Sequence, residues 1–203
     1  FWFYFCAVEA IEPKHLLIVD NHDSFVYNLV QMVEENGHCT YDIVRNDCII
    51  PECITGYKGI LLSPGPGLPG EAGKLCRLIE ETYRHTPILG ICLGHQAIAE
   101  VFGARLTRLT QPLHGHRSPL FITDPEEVLF RDVEDGSPIG HYHSWIIDRE
   151  SCPEELLTTA VDDKGLIMAI RHRCYPVRGL QFHPESIMTV AGIKMIENWI
   201  TSL

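Results

Sequence analysis

The strongest constraint on this chain is a run of seven residues, Gly90-Ile91-Cys92-Leu93-Gly94-His95-Gln96. An apolar stretch, Ile88 to Ile91, leads into it, and a helical stretch, Gly94 to Phe102, leads out. G-x-C-x-G between a strand and a helix obeys the rule of the nucleophile elbow. Glycines two before and two after let the backbone turn sharply and lift the central side chain over the sheet. A thiol seated there faces the positive end of the helix dipole, and the backbone N–H of Leu93 can hold an oxyanion. The competing reading is a buried structural cysteine between two helix-packing glycines.

The flanking sequence repeats the strand-to-helix unit. Leu16 to Val19 is a continuous apolar run, as in a strand buried on both faces. Asp23 or Ser24 can cap a helix whose apolar positions, Phe25, Val26, Leu29, Val30, Met32 and Val33, recur at helical spacing and stop at Gly37. Tyr41 to Arg45 and Gly59 to Leu62 read as strands, and Leu75 to Arg84 as a helix. This rhythm predicts a mostly parallel sheet covered by helices on both sides. After Gly103 the pattern changes to short strands: 104–109, 120–123, 139–142, 155–160, 167–171 and 177–182. An amphipathic helix over Thr189 to Ile200 closes the chain. The expectation is one α/β domain over residues 15–203, with an antiparallel portion in its second half.

Bulk properties narrow the function. The formal net charge is -11, and Lys and Arg form no stripe, which argues against a nucleic-acid backbone as partner. His114, His116 and Arg117 make only a small local cluster. The cysteines at 6, 39, 48, 53, 76, 92, 152 and 174 include no C-x-x-C pair, so no zinc site is expected. Most read as small, reduced, buried residues of an intracellular protein. The apolar stretch at residues 1–14 is too short to cross a membrane and lacks the basic start of a signal peptide. It reads as a remnant of a longer chain, part of a targeting segment, or an extra packed strand. No membrane association is expected, and the cytoplasm is the expected location, with a plastid as the alternative.

Ser63-Pro64-Gly65-Pro66-Gly67-Leu68-Pro69-Gly70 follows a strand and satisfies G-x-G-x-x-G, the dinucleotide fingerprint. Chemistry argues against a nucleotide. Pro64, Pro66 and Pro69 lack the N–H groups that would cradle a pyrophosphate, and no acidic residue stands where a ribose would need one. A Walker loop fails too, because Leu75 follows Lys74. A rigid turn remains possible, as does a stiff loop offering the N–H groups of Gly65 and Gly67 to a small polarised oxygen.

A cysteine nucleophile needs a base, and the base needs an orienting group. Gly179 to Ser186 reads GLQFHPES. The strand there would end at His183, Pro184 would turn the chain, and Glu185 could reach the far imidazole nitrogen. A strand-end turn with an exposed Glu is the plainer alternative.

Taken together, VDNHDSFVYNL (19–29), LSPGPGLP (62–69), GICLGHQAIAEVFG (90–103), HYHSW (141–145) and QFHPESIMT (181–189) resemble the class I, or triad, glutamine amidotransferases. The resemblance is closest to the glutaminase components of anthranilate synthase and aminodeoxychorismate synthase. It implies that Cys92 attacks the side-chain carboxamide of L-glutamine, His183 moves the proton and Glu185 orients His183. It implies an oxyanion and glutamine pocket built from Gly65, Pro66, Gly67 and Leu93, with Gln96, Ser144 and Trp145 as further contacts. No cofactor is implied in this chain. The implied partner is a chorismate-using synthase subunit, expected to use Mg, which receives ammonia. Two positions depart from the family pattern. His116 stands in a segment that usually reads HGK followed by Ser or Thr, and His141 stands where Arg usually precedes Tyr142. Both segments are expected near the face that meets the synthase. The rival functions are a non-catalytic partner of the same fold and, behind it, a nucleotide binder.

Overall fold

Four consecutive apolar residues such as Leu16 to Val19 avoid water on both sides only between two apolar layers. The computed structural model describes residues 13–203 and supplies those layers. In chain order the main elements are β1 (Lys14–Asp20), α1 (Val26–Asn36), β2 (Cys39–Arg45), β3 (Gly59–Leu62), α2 (Leu75–Thr82), β4 (Ile88–Ile91) and α3 (Leu93–Val101). There follow β5 (Leu106–Pro119), β6 (Phe121–Ile122), β7 (Pro138–Ile147), β8 (Leu156–Val161), β9 (Ile167–His172), β10 (Val177–Leu180) and α4 (Gly192–Ser202).

Among the described residues, eight strands form one sheet in the order β2-β1-β3-β4-β10-β9-β8-β6. Pairing is parallel from β2 through β10 and antiparallel from β10 to β6. This is the expected α/β architecture with an antiparallel later part. Successive residues of a strand point to opposite faces. So Leu16, Ile18, Leu61 and Leu89 pack with Leu29 and Val33 of α1 and Met195 and Trp199 of α4. Leu17, Val19, Ile60 and Ile88 pack on the other face with Leu75, Leu78 and Ile79 of α2 and Ala97 and Ile98 of α3. Burying each such side chain contributes about 1.5–3 kcal/mol. No helix of the described residues is long and apolar enough to cross a membrane.

Several boundaries differ from those expected. The apolar extension lies outside the described residues up to Glu12, and Lys14 already belongs to β1. Neither Asp23 nor Ser24 caps α1. Phe25 is its cap residue, and the Asp23 carboxylate accepts the Phe25 N–H at 2.7 Å, bracing the turn before the helix. Gly37 ends the helix in the left-handed conformation, φ 72°, as its position suggested. The last helix begins at Gly192, not Thr189, because Thr189 is used to tie down a loop described below.

The largest difference is the second sheet, a ribbon in which β5 pairs antiparallel with β7. The sequence suggested two short strands there. β5 is mostly exposed along its fourteen residues, so it carries no apolar alternation to announce it. Pairing with β7 alone makes it a strand, with register shifts after Arg108 and His114. The cysteines also differ from expectation. Among the six free thiols described, only Cys92 is buried, and Cys48 and Cys174 are exposed.

Candidate active site

β4 ends at Ile91, and the next residue adopts φ 50° and ψ -97° before α3 begins at Leu93. That residue is Cys92. A positive φ on a non-glycine residue costs on the order of 1–3 kcal/mol and persists only where the surroundings enforce it. The two glycines of the elbow do so. A Cβ at Gly94 would lie 2.7 Å from Leu62 Cβ and 2.8 Å from its carbonyl oxygen, and one at Gly90 would run into the Gly94 backbone. The Cys92 N–H donates to Leu180 O at 2.7 Å, which locks the elbow to β10. As the first helical residue, Leu93 has an N–H with no intrahelical acceptor.

The glycine loop packs directly against this elbow. A Cβ at Gly65 would stand 2.5 Å from Leu93 Cδ2 and 2.7 Å from Asn21 Cβ, and Gly67 has φ 75°. Only glycine satisfies both demands. A buried polar network holds the loop from behind. Ser63 Oγ accepts the Asn21 N–H at 2.9 Å, Asn21 Nδ2 donates to Ser63 O at 2.8 Å, and Asn46 Nδ2 donates to Asn21 Oδ1 at 3.1 Å.

β10 stops at Leu180, two residues short of the expected end, because the chain leaves β4 and β9 to reach β7. The His183 N–H donates to Gly140 O at 3.1 Å. Thr189 Oγ1 accepts from the Gly140 N–H at 3.0 Å and donates to His183 O at 2.6 Å. His183 Nδ1 and Glu185 Oε1 are 2.6 Å apart, and both side chains are buried. Glu185 is therefore not the exposed residue of the plainer alternative. Phe25 and Tyr142 meet the imidazole edge to face at centroid distances of 5.5 and 5.0 Å.

His183 Nε2 is buried and makes no hydrogen bond among the described residues. Cys92 nonetheless acts on the ring. Burial is the largest single influence and disfavours the imidazolium. The Cys92 sulfur and the Glu185 carboxylate together outweigh it and raise the His183 pKa. A cysteine on a strained elbow, a histidine held beside it and a buried carboxylate behind the histidine can carry out nucleophilic acyl transfer.

Cys92 opens into a cleft of about 220 Å³. Gly65, Pro66, Gly67, Gln96, Ser144 and Trp145, all named from the sequence, line it with Cys92. The Leu93 side chain is buried behind the elbow. Arg108, His114, Tyr142 and His143 line the cleft as well and were not expected. His141 is fully buried, so this position is no surface feature, whereas His116 opposite it on β5 is exposed.

Gln181 was also missed. Its Nε2 donates to Cys92 Sγ at 3.8 Å, and its Oε1 accepts from Gln96 Nε2 at 3.2 Å. Gln96 Nε2 also reaches Trp145 O at 2.8 Å. The sequence carried a signal for Gln181, since residues two apart on an extended run share a face and His183 lies two residues on.

Known proteins resemble this chain over most of its length. The family model for glutamine amidotransferase class-I matches residues 17–203. The anthranilate synthase component 2 of Haemophilus influenzae is 41% identical over 191 residues, covering 92% of this chain and 96% of that one. The protein of the same name from Mycobacterium tuberculosis is also 41% identical over 191 residues, covering 92% of this chain and 81% of its own. Among solved structures, one described as a candidate GMP synthase subunit from Thermoplasma acidophilum matches with a TM-score of 0.82 at 25% identity, covering 93% of each chain. With the family model spanning nearly the whole chain and relatives of this identity, the protein belongs to the class-I glutamine amidotransferases.

Proposed function

We propose that this chain is the glutaminase subunit of an anthranilate synthase: it hydrolyses L-glutamine through Cys92, His183 and Glu185 and delivers ammonia to a chorismate-using partner. The observation that carries the reading is the buried 2.6 Å contact between His183 and Glu185 beside a cysteine on a positive-φ elbow.

The steps follow from those groups. His183 takes the Cys92 proton, and Sγ attacks the carboxamide carbon of glutamine. The oxyanion is held by the N–H of Leu93 and by the Gly65–Gly67 loop, which needs no reorganisation because Asn21 and Ser63 fix it beforehand. The His183 proton passes to the amide nitrogen, the C–N bond breaks, and ammonia leaves a glutamyl thioester. Water gives a proton to His183 and attacks the thioester carbon. Collapse returns that proton to sulfur and releases glutamate. Glu185 keeps the imidazole in one tautomer and stabilises the imidazolium in both halves. The chemistry asks for no cofactor in this chain, and Mg is assigned to the partner.

An exposed apolar surface supports a partner next to this site. Ile187, Val190 and Ile193 are 95, 69 and 52% exposed and border a groove of about 560 Å³ that reaches Glu185. Exposed apolar side chains gathered in one place mark interaction sites.

The test is glutamate release by the purified chain, alone and with an anthranilate synthase or an aminodeoxychorismate synthase subunit plus chorismate, with Cys92→Ser as control. Stimulation by the anthranilate partner and loss in Cys92→Ser is the expected result. Stimulation only by the aminodeoxychorismate partner reassigns the pathway. Unchanged turnover in Cys92→Ser rejects the mechanism.

A further inference from the structure

His141 and His143 lie two residues apart on β7, so their side chains share one face of the strand. Both are buried, at 0 and 4% exposure. Ser118 Oγ on β5 lies 2.7 Å from His141 Nε2, and His141 Nδ1 lies 3.0 Å from His143 Nε2. These three groups form one hydrogen-bonded line across the ribbon, ending at the His143 ring in the wall of the cleft. The line ends on an unused group. His143 Nδ1 is buried and has no partner among the described residues. The Trp145 carbonyl, which acts on this ring, already accepts from Gln96 Nε2.

Burial first, and then neighbouring histidines, lower the pKa of His141 to about 4 and that of His143 to about 3. Both rings are therefore neutral at physiological pH. A contact between two neutral imidazoles needs one N–H and one lone pair. Ser118 Oγ can donate or accept, so the line has two directions, and each sets the tautomers of both rings together.

We propose that His141, backed by Ser118, is a positioning residue: it holds the ring of His143 in place in the wall of the cleft that takes glutamine. Arg108 lines the same cleft and supplies the anionic end of glutamine with a charge partner. The proposal rests on the cleft binding glutamine, as argued above.

The test is a double-mutant cycle of His141→Ala and His143→Ala in the chain with its synthase. It reads glutamine KM, kcat and the rate at which iodoacetamide, which needs no glutamine site, alkylates Cys92. His141→Ala is expected to raise KM about tenfold, or about 1.4 kcal/mol. It should leave kcat within about twofold and alkylation unchanged. In the His143→Ala background it should have no further effect. His141→Asn, whose amide takes the place of Nδ1, should bring KM back to within about threefold of wild type. It also carries the test if His141→Ala does not fold. An unchanged KM overturns the proposal. So does an equal rise in both backgrounds, or slowed alkylation with no recovery in His141→Asn. A wild-type chain that never turns over glutamine would instead reject the proposed function. Normal wild-type kinetics with an inert His141 would reject this inference alone.

Discussion

Replacing Glu185 by Gln changes one oxygen to nitrogen in a side chain that is fully enclosed, and the size hardly alters. The consequence is electrical and tautomeric. Glu185 Oε1 accepts from His183 Nδ1 at 2.6 Å, which leaves the lone pair of Nε2 free to take the thiol proton. An amide can donate to Nδ1 instead, which puts the proton on Nε2 and blocks that transfer. Holding a catalytic imidazole in the wrong tautomer costs about 10³–10⁴ in kcat, or about 4–5.5 kcal/mol. Burial is the largest influence on the His183 pKa and acts downward, with Glu185 among the groups opposing it. Without the carboxylate, the His183 pKa falls. The assay is partner-coupled glutamate release at saturating glutamine across pH, with iodoacetamide alkylation of Cys92 in parallel. The expected result is a kcat lower by at least about 10³, a KM within about threefold, and a pH profile for alkylation that shifts. A Glu185→Gln enzyme that keeps kcat within about tenfold and the wild-type pH profile refutes the role given to the carboxylate.

Gln181→Leu removes the donor to Cys92 Sγ and the acceptor for Gln96. It should lower kcat about tenfold and leave the Gln96 amide short of one partner, read as a loss of about 1–2 kcal/mol in denaturant unfolding. Gly94→Ala drives a methyl group into Leu62 and should cost about 3 kcal/mol or prevent folding. A thermal midpoint within about 2 °C of wild type would show that the elbow has slack. Acid should destabilise the fold through its buried neutral histidines. His95, His141 and His143 have folded-state pKa values lowered to about 3, 4 and 3, below the ordinary value of about 6.5. Between about pH 4 and 6.5 the unfolded chain binds protons there that the folded chain does not. Stability therefore falls as pH drops through that window, by up to about 1.4 kcal/mol per pH unit for each histidine. His183 acts in the opposite sense, because its pKa is raised. Its contribution is present below about pH 6.5 and is lost as pH climbs through the folded value. Denaturant unfolding at pH 5 and pH 7 checks the acid limb, and equal stabilities would contradict it.

The parallel half of the sheet was legible in the sequence because burial on both faces leaves a plain mark. Leu16 to Val19, Gly59 to Leu62 and Ile88 to Ile91 are apolar runs with no other use. The elbow was legible because G-x-C-x-G is a steric demand, met here by Gly90 and Gly94 against neighbouring backbone. His183 and Glu185 were legible because a strand end and a proline turn set them two residues apart in a fixed way. What the sequence left dark was whatever depends on a neighbour distant in the chain. β5 is exposed and unpatterned, and becomes a strand only through its pairing with β7. Arg108, His114 and His143 line the cleft because that ribbon folds over Cys92. Gln181 faces sulfur only because β10 lies beside β4. His141 differs in kind. Its identity was visible as a departure from a pattern, yet its burial and its line to Ser118 and His143 come from strand pairing alone. Local sterics and hydrophobic period act within a few residues and can be read from the letters. The partner of a polar atom is chosen by the packing of segments far apart in the chain, and only the folded molecule contains that choice.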